Sequence, residues 1–172
     1  MKQPVPDGYD KFQIRPATPA DVLPIESILS TYFLDRDDIS HERFMVAEIG
    51  SVSSSKVIGC GVYNVRRMAG NSLSKTDSAF SFCEIHTIAV LPSYKNKGYG
   101  KKLLNILMNE ISGLDDPDLS KTVYTRTTAP DFFLHMGFSM ADPNEKKQLF
   151  EECESCEKFD SCAQKLLSKT II

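Results

Sequence analysis

The chain has 172 residues, 41% of them hydrophobic, which is enough for one sizeable core and few for two, so one domain with a tail is expected. A net charge of −3 and a sequence pI of about 5.6 exclude a broad electrostatic footprint for nucleic acid, although a local basic patch stays open. No stretch approaches the ~20 apolar residues of a membrane span and the start, MKQPVPDGYDKF, lacks the apolar run of a secretory signal, so a soluble, cytoplasmic protein without a membrane partner is expected.

In chain order, FQIRPAT alternates Phe12 and Ile14 with polar neighbours, the pattern of a short strand. Thr18, Pro19 and Asp21 then form a helix start: a capping side chain, a proline at the first position and an acid near the positive end. Val22, Ile25, Ile28 and Leu29 supply that helix's apolar stripe, and LDRDDISHERF is a shorter helix or an ordered loop. MVAEIG and KVIGCGVYNV flank SVSSS, which predicts an antiparallel hairpin. RRMAGNSLSKTDS, polar and with a Gly-Asn pair, is a loop or hairpin tip. AFSFCEIHTIAV is the longest apolar, β-branched run and is expected as a central strand. After LPSYKNKGYG comes a helix with Leu104, Leu107, Met108 and Ile111 on its buried stripe, ended by LDDPD. KTVYTRTTA predicts a strand, PDFFLHMGF a short helix ending at Gly137, and KKQLFEE a last strand. This order indicates an α+β or mixed α/β domain with its sheet at the centre.

The segment between central strand and helix carries the chemistry. A strand ending at Val90 and Leu91 runs through Pro92 into Lys95, Asn96, Lys97, Gly98, Tyr99 and Gly100 and straight into a helix. The unpaired amides of a helix start and its dipole favour an anion. Glycine permits close approach and positive φ, which asparagine also tolerates. A phosphate or pyrophosphate is the ligand this suits. A Walker loop is excluded, because Gly100-Lys101 is followed by Lys102 and position 95 is lysine; the dinucleotide fingerprint fails at Leu103.

Val90-Leu91-Pro92 followed by Lys95-Asn96-Lys97-Gly98-Tyr99-Gly100 resembles the signature of the GNAT superfamily of acetyl-coenzyme A dependent N-acetyltransferases. There a Gln or Arg, two residues, Gly, one residue and Gly or Ala follow a strand ending in Val-x-Pro; here lysine replaces the first position. FQIRPATPADVLPI resembles the family's first strand and helix, and APDFFLHMGF its late helix ending in Gly-Phe. The resemblance implies a central, mostly antiparallel mixed sheet flanked by helices over residues 12–150, after an extension at 1–11 and before a cysteine-containing tail at 151–172. It also implies acetyl-coenzyme A as donor, a small-molecule amine as acceptor, and pairing of exposed hairpin strands into a homodimer. The amides from Asn96 to Gly100 would hold the pyrophosphate, and the backbone of Ile88, Ala89 and Val90 would line the pantetheine arm, with Lys101 and Phe133 also beside the cofactor. For the lysines a solvated helix start is the alternative.

Attack on a thioester needs a neutral amine, so a positioned base is useful. Period two places Glu84, His86, Ile88 and Val90 on one strand face, and the family often has an acid there; Glu84 is the candidate base, His86 the second. Where many relatives carry a tyrosine to protonate the departing thiolate, Phe133 stands, and it has no proton to give; Tyr124 is the candidate substitute. A thiol pKa near ~8.5 makes the leaving group tolerable without a strong acid. The stretch from Ala79 to Gly100 and the paired phenylalanines of FFLHMGF look most like the amino-acid acetylating branch related to N-acetylglutamate synthase. Arg66 and Arg67 would offer a guanidinium fork to such a substrate's α-carboxylate, or else solvate a hairpin end.

The five cysteines are an odd number, which favours reduced thiols or a metal site over a disulfide framework. Cys153, Cys156 and Cys162 leave a tetrahedral zinc site one ligand short, to be completed by His135 or another cysteine; unliganded thiols are the plainer reading. Two other functions remain open: a module that binds acetyl-coenzyme A without turnover, and a protein or peptide lysine acetyltransferase.

Overall fold

The structure is a computed structural model, and it describes residues 11–34, 36–51, 54–68 and 80–171. The extension before Lys11, the centre of the SVSSS turn and the Gly-Asn loop after Met68 lie outside the described residues. Among the described residues seven strands form one mixed sheet in the order β1-β2-β3-β4-β5-β7-β6. They are β1 (Lys11–Pro16), β2 (Met45–Ser51), β3 (Ser54–Met68), β4 (Phe80–Val90), β5 (Leu119–Thr127), β6 (Ser139–Met140) and β7 (Lys165–Thr170). The chain gathers into two compact units: one takes the residues up to Val62 and Thr87–Asn109, the other Tyr63–His86 and the residues from Glu110 on.

In the first unit β1 pairs antiparallel with β2, setting Phe12 opposite Ile49 and Ile14 opposite Ala47, and β2 pairs antiparallel with β3. The predicted helix start is present: Asp21 Oδ2 accepts from the Thr18 amide at 2.7 Å and from the Thr18 hydroxyl at 2.9 Å. The first turn is a 3₁₀ turn, Pro19–Asp21, leading into α1 (Val22–Ser30). Ile25, Ile28 and Leu29 go into a core with Phe44, Val46, Cys60 and Val62. In LDRDDISHERF the described residues form turns and a 3₁₀ turn at His41–Arg43, because Ile39 and Phe44 supply anchors at its ends but no helical stripe between them.

Helix α2 (Tyr99–Ser112) buries Leu103, Leu104, Leu107 and Ile111. Two glycines of β3 make room for it: a Cβ on Gly59 would lie 3.0 Å from the Ala89 carbonyl and 3.2 Å from Leu103 Cδ1, and one on Gly61 3.2 Å from Leu107 Cδ1. Contacts this short are tight, so a side chain at either position would press on its neighbours, the helix among them.

In the second unit β5 runs parallel to β4, with Ser81 opposite Leu119, Cys83 opposite Val123 and Glu84 opposite Tyr124. On its other edge β5 pairs antiparallel with β7, and β7 with the short β6. Helix α3 (Pro130–His135) starts on a proline and stops at Gly137, whose φ of 81° ends it. Residues 143–154 correct one expectation, since KKQLFEE is not a strand but part of α4 (Pro143–Leu149) and α5 (Glu151–Glu154). The Asp142 carboxylate caps α4 by accepting from the Asn144 amide at 2.7 Å. Lys146, Leu149, Phe150 and Cys153 are buried, at i, i+3, i+4 and i+7, the spacing of one helical face and not of a strand. The late strand lies further on, in β7, where Leu166 and Leu167 are buried.

Candidate active site

Two groups of predicted residues are built in the two units. In the first, Leu91–Lys95 turns the chain off β4: the Leu91 amide reaches the Ile58 carbonyl at 2.8 Å, and a 3₁₀ turn spans Pro92–Tyr94. Asn96 (φ 59°) and Gly98 (φ 82°) then both take left-handed conformations, the two residue types best able to do so. Residues 95–98 are exposed. Among the described residues, the first amide here to find a backbone carbonyl is that of Lys102, on Gly98 at 3.1 Å, so the amides of residues 96–100 point outward. A Cβ on Gly98 would meet nothing within 4 Å. Crowding inside the chain therefore does not demand this glycine; its φ does, and the open face is where a ligand can approach.

The lysines rest on rings. Lys95 Nζ lies 4.6 Å from the Tyr32 ring centre, Lys97 5.2 Å from that of Tyr94, and Lys102 4.5 Å from that of Phe12, while Phe12 and Tyr99 stack at 4.8 Å. Lys101 is exposed. The result is a basic rim around outward amides, suited to a polyanion. At the strand's end Ile88 is half-buried and Ala89 and Val90 are buried, and the Val90 carbonyl accepts from the Tyr32 hydroxyl.

In the second unit Glu84 is only 2% exposed and both its oxygens are engaged: Oε2 accepts from Arg66 Nε at 2.6 Å and Oε1 from Arg126 Nε at 2.9 Å. The outer nitrogens of the same two arginines meet Glu152 Oε1, Arg126 Nη1 at 2.8 Å and Arg66 Nη2 at 3.2 Å. Both guanidinium groups lie over the buried Phe150 ring, at 3.9 Å for Arg126 and 4.9 Å for Arg66. Burial works against the charge on Arg126, but Glu84 and Glu152 outweigh it and raise its pKa. For Glu152 burial is likewise outweighed, by a backbone hydrogen bond and the two arginines, and its carboxyl titrates below its usual range. Neither Arg126 nor Glu152 was predicted. A lone arginine in a Thr-rich strand and one acid among many in EECESCE carry no spacing signal; only the fold joins them.

His86 is half-buried on β4. Arg67 is exposed and makes no ion pair among the described residues. Tyr124, half-buried, stands edge-on to Phe82 at 5.5 Å; burial and then Glu145 raise its pKa, so it is a protonated phenol at neutral pH. Phe133 is buried between Phe132 and Phe138, edge-on to both. The three tail cysteines are not gathered. Cys153 is buried with its sulfur 3.7 Å from Arg126 Nη1, Cys156 is exposed, and Cys162 accepts from the buried Lys146 Nζ at 3.1 Å. Among the described residues no group of three or more His, Cys, Asp or Glu is placed to hold a metal ion.

A mixed sheet bearing outward amides and lysines at a strand-to-helix loop suits a ligand with phosphate groups. Residues 40–140 match the acetyltransferase (GNAT) domain family, and the chain belongs to that family. No curated protein matches the chain in sequence. Its fold is similar to that of N-acetylglutamate synthase from Neisseria gonorrhoeae, solved with coenzyme A and N-acetyl-glutamate, at 18% identity and a TM-score of 0.66 over 94% of this chain and 35% of that one. The chain thus spans about a third of that protein's length. The protein Rv2747 from Mycobacterium tuberculosis, in complex with coenzyme A, is similar at 20% identity and a TM-score of 0.67 over 93% of this chain and 99% of that one. An Arabidopsis thaliana protein bound to the bisubstrate analogue CoA-Ac-MVNAL is similar at 15% identity and a TM-score of 0.60 over 93% and 99%.

Proposed function

We propose that this chain moves an acetyl group from acetyl-coenzyme A to the primary amine of a small molecule, an amino acid such as glutamate. The observation that carries it is the run of outward amides at residues 96–100, shaped by the left-handed Asn96 and Gly98 and rimmed by lysines. These would hold the pyrophosphate of coenzyme A. When bound, the donor supplies an acetyl thioester activated for attack by an amine.

Direct transfer without an acyl-cysteine is supported by the two sheet cysteines, since burial pushes the Cys60 thiol up to about 12 and, with Asp116, the Cys83 thiol up to about 11. Glu84 takes the amine's proton, directly or through water. Each of its oxygens holds one arginine hydrogen bond and keeps lone-pair capacity for another donor. His86 is the second candidate, and Tyr124 is the candidate donor to the departing thiolate. Arg66 and Arg67 are the proposed contacts of the acceptor carboxylate, and the neighbouring Arg126 strengthens that reading by making a pair of guanidinium groups with Arg66. The N-acetyl-glutamate in the similar Neisseria gonorrhoeae structure agrees with such an acceptor.

The test is mass-spectrometric detection of acetylated product after incubation with acetyl-coenzyme A and a panel of amino acids, polyamines and lysine peptides. Product from glutamate or another amino acid is expected. Product from the peptides alone would overturn the amino-acid reading, and tight coenzyme A binding without product from any acceptor would point to a binding module.

A further inference from the structure

The contact of Glu152 with the arginine pair resembles that of a bound carboxylic acid more than a fold-stabilising bridge. A single oxygen, Oε1, faces both Arg126 Nη1 (2.8 Å) and Arg66 Nη2 (3.2 Å), and the Glu152 side chain is half exposed. By contrast Glu84 fixes the two Nε groups from a buried position, and Phe150 supports both guanidinium planes from below. Glu84 holds both arginines independently of Glu152, and with Glu84 as their only other carboxylate among the described residues they keep one positive charge in excess. The backbone on either side of Glu152 is pinned by the buried Phe150 and Cys153, so the carboxylate can swing into solvent by side-chain rotation alone.

We infer that Glu152 is a built-in stand-in for the acceptor's carboxylate: it occupies the Arg66–Arg126 fork and must be displaced when a carboxylate-bearing acceptor binds. Glu152 is then a specificity-determining residue that competes with its own substrate class. Weak ligands fail to displace it, and a neutral amine gains nothing from the fork. The inference rests on the amino-acid reading of the acceptor given above.

The experiment compares the wild-type chain with Glu152→Gln and Glu152→Ala. Binding of glutarate, which has carboxylates but no amine, is measured by calorimetry, and KM is measured for glutamate and for its α-amide. Glutarate should bind about two- to fivefold more tightly to both variants, the worth of a half-exposed ion pair no longer opposed. The KM for glutamate should fall by a similar factor while that for the amide stays unchanged, and Arg126→Gln in the Glu152→Gln background should abolish the gain. Equal or weaker glutarate binding by both variants, with thermal melting showing them folded, overturns the inference. If glutarate binding tightens but no amino acid is acetylated, the stand-in survives and the acceptor reading fails. If amino acids are acetylated with an unchanged KM, the reverse holds.

Discussion

Arg126 Nε and Glu84 Oε1 meet at 2.9 Å across the parallel strands β4 and β5, two residues beyond Tyr124, the residue in register with Glu84. This contact holds the proposed base in one orientation and keeps it acceptor-only toward its arginine partners. Glu84→Gln keeps the shape but removes the charge. Turnover should fall by about 10²–10⁴-fold, the usual worth of a general base, while coenzyme A affinity stays within twofold. Steady-state kinetics beside calorimetry decide it, and undiminished turnover would remove Glu84 from the proton path.

Gly98→Ala isolates the backbone term at the cradle. The new methyl group meets no neighbour, so any effect comes from holding a non-glycine residue at a φ of 82°. At roughly 1–2 kcal/mol per left-handed residue, the Kd for coenzyme A should rise about five- to thirtyfold, with little change in kcat. A substitution of Lys101, which is exposed on the helix, should change the Kd less.

The first unit should be acid-sensitive. Arg15 holds Asp21 through two contacts at 2.7 and 3.0 Å and Glu48 at 2.8 Å. The Arg15 hydrogen bond is the main reason that the Asp21 carboxyl titrates at about 2 rather than 3.8, and Glu48 at about 2 rather than 4.5. Carboxyls lowered in the folded state contribute their stability above their unfolded values, and that stability is lost as the pH falls through the folded ones. Each contributes on the order of 2–3 kcal/mol near neutrality. Protection factors of β1 and β2 amides against hydrogen exchange should therefore fall between pH 4.5 and 2, and Arg15→Met should flatten that dependence.

Much of this could be read in the sequence because its signals are local. The Val-Leu-Pro turn, the asparagine and glycine at left-handed positions, the Thr18 to Asp21 helix start and the leucine stripe of α2 depend on neighbours within a few residues. KKQLFEE reads as a strand in the sequence because its buried face includes Lys146, whose ammonium is satisfied by the Gln164 carbonyl at 2.9 Å and the Cys162 sulfur. A lysine counted as polar hid the helical period. Arg126 and Glu152 were missed for the opposite reason: their importance lies in partners 42 residues away in one case and on another element in the other.

Gly59→Ala and Gly61→Ala test how closely α2 sits on β3. Each methyl group would come within 3.2 Å of a buried leucine, so each variant should lose about 1–3 kcal/mol in denaturant unfolding without weakening coenzyme A by more than the loss of folded protein explains. Wild-type stability in both would mean that the helix can shift outward freely.

The place of β7 between β5 and β6 has a consequence for synthesis. Thr127 leaves the ribosome a few seconds before Lys165 at ordinary elongation rates, and for that interval the outer edge of β5 has no partner. An unpaired edge invites strand addition from other chains, and Lys121, exposed in the folded chain, is one of the two charges that β5 itself carries against it. The nascent polypeptide, rather than the finished protein, is thus the stage at which this sheet is most open to strand addition.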